Sequence, residues 1–217
     1  MTREPAATTT ADGAAAQPAG RRERRRQEIR TAILNAALEL FADQGYATTS
    51  VDQIAERADL ARRTVFNHFP RKRDMLEVWA NERRELVAAR LDQDAARQAS
   101  ARRQLELQME VLAEANEQDP RMAHVISLGW LSELGTFESP FPIFETFRES
   151  VQAGQECGDF SRAASPETVA ELLCACYSDT LHRWLQAQQH TDTPFALGPA
   201  LRAKLDLILD GLAVHRG

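Results

Sequence analysis

Residues 50–69 read SVDQIAERADLARRTVFNHF and predict two short helices separated by a tight turn. Ser50 and Gln53 have the spacing of a capping box, in which each side chain bonds the other residue's backbone amide at a helix N-terminus. A turn over residues 59–61 separates this helix from a second one over residues 62–69. Helix, short turn, helix is the arrangement of a helix-turn-helix module.

The second helix of this pair carries two different faces. Val65 and Phe69 lie one helical turn apart and predict the face that packs inward. A helix-turn-helix lays its second helix in the major groove of DNA, where Arg bonds guanine, Asn bonds adenine and a Thr methyl contacts thymine. We therefore predict base contacts from the polar face, namely from Arg62, Arg63, Thr64 and Asn67.

A longer helix is predicted before this pair. From Arg26, apolar residues recur at spacings of three and four, and Gly45 ends the helix because it can adopt a left-handed backbone conformation. Residues 21–26 read RRERRR and predict a flexible cationic arm that follows DNA phosphates or enters a minor groove. Residues 1–20 are rich in Ala, Thr, Gly and Pro, which predicts a disordered tail.

The charge is distributed unevenly along the chain. The net charge is −6, yet residues 21–73 contain twelve Lys and Arg against seven Asp and Glu. Residues 74–217 contain thirteen basic against twenty-three acidic residues. A basic N-terminal region on an acidic body predicts a polyanionic partner for the N-terminal region.

The rest of the chain predicts an all-α protein with a second, larger domain. Ala, Leu, Glu, Arg and Gln are abundant, and these residues favour helices. Further helices are predicted over residues 75–94, 101–117, 120–134, 140–154, 166–189 and 199–215. We predict a DNA-binding domain over residues 21–73 and a helical domain for effector binding and dimerisation over residues 74–217.

Two surfaces of the second domain have predicted roles. The last two helices are apolar over more than one stripe, which predicts a homodimer interface of four helices. Many of the aromatic residues follow the fourth helix in the sequence, which predicts an apolar cavity for a small-molecule effector between that helix and the last two. We predict contacts to this effector from His124, Trp130, Phe144, Phe147 and Tyr177. Ordinary core packing explains the same residues, and the sequence leaves both interpretations open.

Residues 33–76 resemble a known DNA-binding domain. They read ILNAALELFADQGYATTSVDQIAERADLARRTVFNHFPRKRDML, which is similar to the domain of the TetR (tetracycline-repressor-like) family of transcriptional regulators. The resemblance implies a homodimer, usually a repressor, that leaves double-stranded operator DNA when a small molecule enters its C-terminal domain. It also implies phosphate contacts from Thr49, Ser50, Phe66, His68 and Lys72.

Three positions depart from the pattern of that family. Phe66 stands where Tyr is usual, so a hydroxyl bond to phosphate is replaced by van der Waals contact. Asp59 replaces the usual turn Gly, which is tolerated because Asp enters the left-handed region more readily than most residues. Ala61 replaces a frequent Ser at the helix N-cap, which removes about 1 kcal/mol of helix stability.

Other classes of protein are disfavoured by the sequence. No run of about 18 apolar residues predicts a membrane span, and no apolar segment near the N-terminus predicts a secretory signal. The histidines are scattered and no Gly-rich phosphate loop is present, so we predict no enzyme, metal or cofactor. The three cysteines are an odd count, which suits the reducing cytoplasm. The alternative function is a helix-turn-helix protein without an effector, either an activator or an architectural protein.

Overall fold

The computed structural model describes residues 17–93, 97–133, 143–190 and 195–212. These residues form nine α-helices, which confirms the all-α prediction. In chain order, the helices are α1 (Gln17–Gln44), α2 (Val51–Arg57), α3 (Arg62–His68), α4 (Arg73–Leu91), α5 (Ala101–Gln118), α6 (Pro120–Glu133), α7 (Phe144–Cys157), α8 (Pro166–His190) and α9 (Leu197–Leu212). The predicted segments 1–16, 134–142 and 213–217 lie outside the described residues.

The predicted flexible arm over residues 21–26 is instead part of α1, which begins at Gln17. This is a correction to the sequence-based prediction, and it also places residues 17–20 in a helix rather than in a tail. The arm consists of Arg and Glu, which are good helix formers. Arg25 also forms an ion pair with Glu28 one turn later, at 3.6 Å. The arginines of this segment remain exposed.

The first three helices and the start of α4 share one hydrophobic core. Its fully buried side chains include Ile33 of α1, Ile54 of α2 and Val65 of α3. Ser50 caps α2 as predicted: its Oγ accepts from the Gln53 amide at 3.2 Å, and the Gln53 side chain accepts from the Ser50 amide at 2.8 Å. The turn between α2 and α3 contains Asp59 with a φ of 52°, which is the left-handed backbone conformation predicted for this residue.

Helix α4 connects this core to a second one. Its first turns place Met75, Leu76 and Trp79 in the N-terminal core, and Val87 near its end belongs to the core that α5, α7, α8 and α9 build. Helix α6 lies close against α4, because a Cβ atom at Gly129 would be only 2.6 Å from the Leu76 Cδ1 atom. A displacement of α4 or α6 therefore reaches the N-terminal core directly.

The last two helices keep apolar side chains on their outer faces. Leu172 of α8 is 53% exposed and Leu207 of α9 is 76% exposed, while Leu173, Leu205 and other residues of the same helices are buried. Leucines that are exposed singly are common on protein surfaces, and these two lie on the outer faces of neighbouring helices. Among the described residues, no helix is both long and apolar enough to cross a lipid bilayer.

Candidate DNA-contact surface and ligand cavity

Helix α3 presents three rows of side chains to its outer side. Because residues four apart lie on the same helix face, Arg62 aligns with Phe66, Arg63 with Asn67 and Thr64 with His68. Val65 and Phe69 point the other way, with 0% and 1% of their surfaces exposed. The six outward residues, Arg62, Arg63, Thr64, Phe66, Asn67 and His68, are named here the α3 outer surface.

The rows differ in how firmly their side chains are held. Arg62 forms an ion pair with Asp52 of α2 at 3.0 Å, and its guanidinium lies 5.2 Å above the Phe66 ring. Arg63 and Asn67 are exposed and form no hydrogen bond with another described residue. The Arg63–Asn67 row is therefore the part of this surface whose hydrogen-bonding groups are available without breaking an existing contact.

His68 lies at the C-terminal end of α3 and close to α1. Partial burial lowers the pKa of its imidazole, and the charges of Arg26 and Arg30 lower it further. The lowered pKa favours the neutral form of His68 in the free protein. Arg26 and Arg30 place positive charge beside the end of α3, which suits an anionic partner.

The side chains of Thr49 and Lys72, both predicted to contact phosphates, already form hydrogen bonds within the protein. Thr49 is 3% exposed, and its hydroxyl donates to the Gly45 carbonyl at 2.8 Å. The Lys72 Nζ atom donates to the carbonyls of Tyr46 and Thr49 at 2.6 and 2.9 Å. Both side chains thus hold the loop between α1 and α2 in the protein without DNA, and their phosphate contacts stay predictions. Ser50 is exposed, and its Oγ is already bonded within the capping box.

Replacing Lys72 by Met tests this structural role. The change keeps the apolar stem but leaves the carbonyls of Tyr46 and Thr49 without their donor, so the free energy of unfolding should fall by about 1–3 kcal/mol. Urea denaturation measures it. The exposed neighbour Arg71, replaced by Met, is the control and should change stability by less than about 1 kcal/mol. An unchanged stability together with a weaker DNA affinity would instead assign Lys72 to phosphate binding alone.

Tyr46 connects the N-terminal core to the end of α6. Its ring packs with Phe41 at a centroid distance of 5.0 Å, and its hydroxyl donates to the carboxylate of Glu133, at the end of α6, at 2.8 Å. Burial raises the pKa of Tyr46 far above its ordinary value, and the hydrogen bond to Glu133 raises it further. Tyr46 is thus a fixed donor, and it joins the end of α6 to the loop that Lys72 also contacts.

A cavity of about 280 Å³ lies in the second domain, between α4, α5, α6 and α8. The surface of its walls is mostly apolar, although several polar residues also line it, namely Arg83, Asn116, Ser127, Tyr177, Ser178, Asp179 and His182. Tyr177 and Asn116 form one of the polar contacts: the Asn116 amide donates to the Tyr177 hydroxyl at 2.8 Å. The volume is close to the lower end of the range of about 300–1,000 Å³ that small-molecule sites occupy.

Two of the five residues predicted to contact an effector line this cavity, namely Trp130 and Tyr177. The other three, His124, Phe144 and Phe147, are not among the residues that line it, so their contact with an effector stays a prediction. Phe144 and Phe147 are 9% and 1% exposed in the second core, and neither reaches the cavity. His124 is partly exposed and follows Ala123, which does line the wall; one residue along a helix rotates the side chain by about 100°.

Arg83 and Asn116 line the cavity and were missed by sequence reasoning. Both interrupt an apolar stripe: Arg83 lies between Ala80 and Val87 on α4, and Asn116 follows Leu112 by four residues on α5. A polar residue at an apolar helical position was the signal that would have found them. Among the described residues, no group of three or more His, Cys, Asp and Glu is placed to hold a metal ion.

Comparison with known proteins identifies the N-terminal domain. Residues 33–78 match the family described as bacterial regulatory proteins, tetR family. This N-terminal domain is a TetR-family domain. The HTH-type transcriptional regulator TcmR of Streptomyces glaucescens is 43% identical over 56 residues, which are 26% of this chain and 25% of TcmR. The similarity to such curated TetR relatives thus spans about a quarter of their length and lies in the DNA-binding domain.

The TetR fold extends over most of the chain. A tetR-family regulator from Shewanella sp. PV-4 superposes with a TM-score of 0.63 at 20% identity, covering 86% of this chain and 99% of that one. The TetR-family repressor FadR of Thermus thermophilus, solved with lauroyl-CoA, gives a TM-score of 0.61 at 24% identity and covers 87% and 97% of the two chains. At these identities the second domain shares the fold of these two regulators, and the likeness assigns it no ligand.

Proposed function

We propose that this protein is a homodimeric, sequence-specific regulator of transcription, and that it represses by binding operator DNA through the α3 outer surface. The observation that carries the proposal is the Arg63–Asn67 row, whose hydrogen-bonding groups are unpaired among the described residues, on a helix that Val65 and Phe69 fix in a TetR-family domain. Arg and Asn are the residues that bond guanine and adenine edges with two hydrogen bonds each.

A homodimer would fix the distance between its two Arg63–Asn67 rows on the DNA. Leu172 and Leu207 are exposed on adjacent helices, and a second copy of α8 and α9 would cover both. Two α3 helices then read half-sites about 34 Å apart, which is one turn of the duplex. As a regulator of operator DNA, the protein would act in the cytoplasm.

Release by a small molecule is supported by where the cavity lies. Its walls include Ala80 and Arg83 of α4 and Trp130 of α6, and both helices extend into the N-terminal core. Glu133 lies one turn after Trp130 and holds Tyr46. A ligand that binds the cavity best with α4 and α6 displaced favours a separation of the two α3 helices that no longer matches the groove. The effect on DNA affinity can be no larger than the ligand's differential affinity for the two states.

The decisive experiment has two stages. Genomic fragments that the purified protein retains are sequenced and footprinted to give the operator, and operator affinity is then measured with compounds related to the neighbouring genes. The proposal expects a palindromic site and a compound that lowers the affinity at least about fivefold, the low end of allosteric couplings. A defined operator that no such compound affects would favour the alternative, a regulator without an effector. Retention without any preferred sequence would contradict both.

Replacing Tyr46 by Phe tests whether the hydrogen bond between Tyr46 and Glu133 transmits ligand binding to the DNA-binding domain. The variant loses the hydrogen bond to Glu133 but keeps the ring against Phe41, so operator affinity without effector should change little. A hydrogen bond to a charged group contributes about 1.5–3 kcal/mol, which is as large as a typical allosteric coupling, so its loss should abolish most of the effector's influence on operator affinity. Asp43→Asn, which breaks the exposed pair with Arg121 at 3.3 Å, is the control and should leave the effector's influence intact. An unchanged effector response in Tyr46→Phe would exclude this route.

A further inference from the structure

Arg83 occupies an unfavourable position in the free protein. It projects from the middle of α4 into the cavity wall, and its Nε and Nη2 atoms are shielded from solvent without a hydrogen-bond partner among the described residues. A guanidinium is always charged, and removing it from water without a partner is costly. A ligand that supplied the missing acceptor would offset this cost.

Tyr177 is another polar residue on the cavity wall, and it is also a hydrogen-bond donor. The Tyr177 oxygen already accepts from the Asn116 amide at 2.8 Å, which leaves the phenolic hydrogen to be donated. Burial raises the pKa of Tyr177 so that this hydrogen is retained, although the charge of nearby Arg83 acts in the opposite direction. Two neighbouring donors in an apolar wall are complementary to one group that accepts several hydrogen bonds.

The acidic residue on the cavity wall does not fill this role. Asp179 pairs with Lys204 at 3.0 Å and with Arg183 at 3.1 Å, and the hydrogen bond from Lys204, followed by that from Arg183, lowers its pKa. The negative charge of Asp179 is therefore already compensated by Arg183 of α8 and Lys204 of α9. The positive charge of Arg83 has no such counterpart in the described parts of the chain.

We propose that the effector is a compact apolar molecule with a single carboxylate, and that this carboxylate binds the Arg83 guanidinium while Tyr177 donates a further hydrogen bond to it. The proposal rests on the proposed function, because it names the chemistry of the ligand that would release the DNA. Carboxylates match the two-pronged donor geometry of Arg, and such charge-assisted pairs are the strongest hydrogen bonds in proteins. Leu112, Ile126, Trp130 and Leu181 then enclose the apolar body.

The position of Arg83 also gives the carboxylate its regulatory effect. Arg83 lies on α4, and the first turns of that helix place Leu76 and Trp79 in the N-terminal core. Pairing between the carboxylate and Arg83 acts on this helix directly, whereas an uncharged ligand only fills space. We therefore expect acidic ligands to release DNA more effectively than their neutral analogues.

Binding of matched probes tests the proposal on the full-length protein without DNA. Decanoate and decan-1-ol share an apolar chain and differ in the charge of the head group, and calorimetric titration gives both affinities. The wild-type protein should prefer decanoate by about tenfold or more. Arg83→Gln should abolish this preference, and Arg83→Lys should keep part of it. Arg84→Gln, the exposed neighbour on α4, should retain it fully. Equal affinities in the wild type, no binding of either probe, or a preference that survives in Arg83→Gln would overturn the proposal.

The ligand-free protein provides a second readout. Arg83→Met removes a desolvated charge and keeps much of the side-chain volume, so the proposal expects a midpoint of thermal unfolding raised by about 2–4 °C. Arg84→Met should leave the midpoint nearly unchanged. A lower midpoint for Arg83→Met would mean that Arg83 supports the fold rather than a ligand.

The same probes separate this inference from the proposed function. If decanoate binds through Arg83 but operator affinity does not respond to it, the carboxylate site stands and release by that ligand fails. If decan-1-ol and decanoate bind equally and both lower operator affinity, regulation by a ligand stands and the assignment of Arg83 is wrong.

Discussion

Replacing Arg63 and Asn67 together by alanine should abolish the preference for the operator while leaving the fold unchanged. Each bidentate contact to a base contributes about 1–3 kcal/mol of discrimination, so the two losses lower specific affinity by about 2–6 kcal/mol per half-site. Stability should be unaffected, because both side chains are exposed without a described partner and Ala is the strongest helix former. Fluorescence anisotropy with operator and scrambled duplexes measures the change, and circular dichroism checks the fold.

The control for this double variant is Arg84→Ala, which removes an exposed arginine of α4 away from α3. It should lower the affinity for operator and scrambled DNA alike, and only slightly. If the double variant still distinguishes the two duplexes as the wild type does, the Arg63–Asn67 row does not read bases. The docking of α3 in the major groove would then be wrong.

Replacing Phe147 by Ala should be the most destabilising single change considered. Phe147 is 1% exposed in the second core, and Phe-to-Ala changes at such positions remove about 3–5 kcal/mol from the free energy of unfolding. Urea denaturation at fixed protein concentration measures this loss, since the proposed dimerisation would make stability depend on concentration.

Phe66→Ala provides the matched control, because the same side chain is removed from a position that is 36% exposed. Its stability should change by less than about 1 kcal/mol, and its DNA affinity should fall instead. A Phe147→Ala variant with nearly normal stability but weaker ligand binding would restore Phe147 to the cavity wall and contradict the placement in the core.

The parts of the structure that depend on local sequence were predictable. The capping box at Ser50, the left-handed backbone of Asp59 and the inward pair Val65 and Phe69 each follow from residues within one or two turns. These features define α2, the turn and α3, and with them the α3 outer surface. The helical form of residues 21–26 was missed because the charge of the arginines was given more weight than their helix propensity.

The parts that depend on contacts between distant segments were not predictable. Lys72 bonds carbonyls 23 and 26 residues earlier in the chain, and a basic residue at a helix start gives no sign of this. Aromatic residues in the second domain fill either a core or a cavity wall, and composition alone does not separate Phe147 from Trp130. The role of Arg83 can be inferred only from the folded structure. There it lines a cavity between four helices, and its Nε and Nη2 atoms have no hydrogen-bond partner among the described residues.

The central claim is sequence-specific DNA binding by the α3 outer surface, and one measurement tests it most directly. Wild-type protein is titrated against its selected operator and against a scrambled duplex of the same length and base composition, at the same salt concentration. The account predicts at least about 1,000-fold tighter binding to the operator. Equal affinity for the two duplexes would contradict it, since the basic N-terminal region would then bind DNA by charge alone.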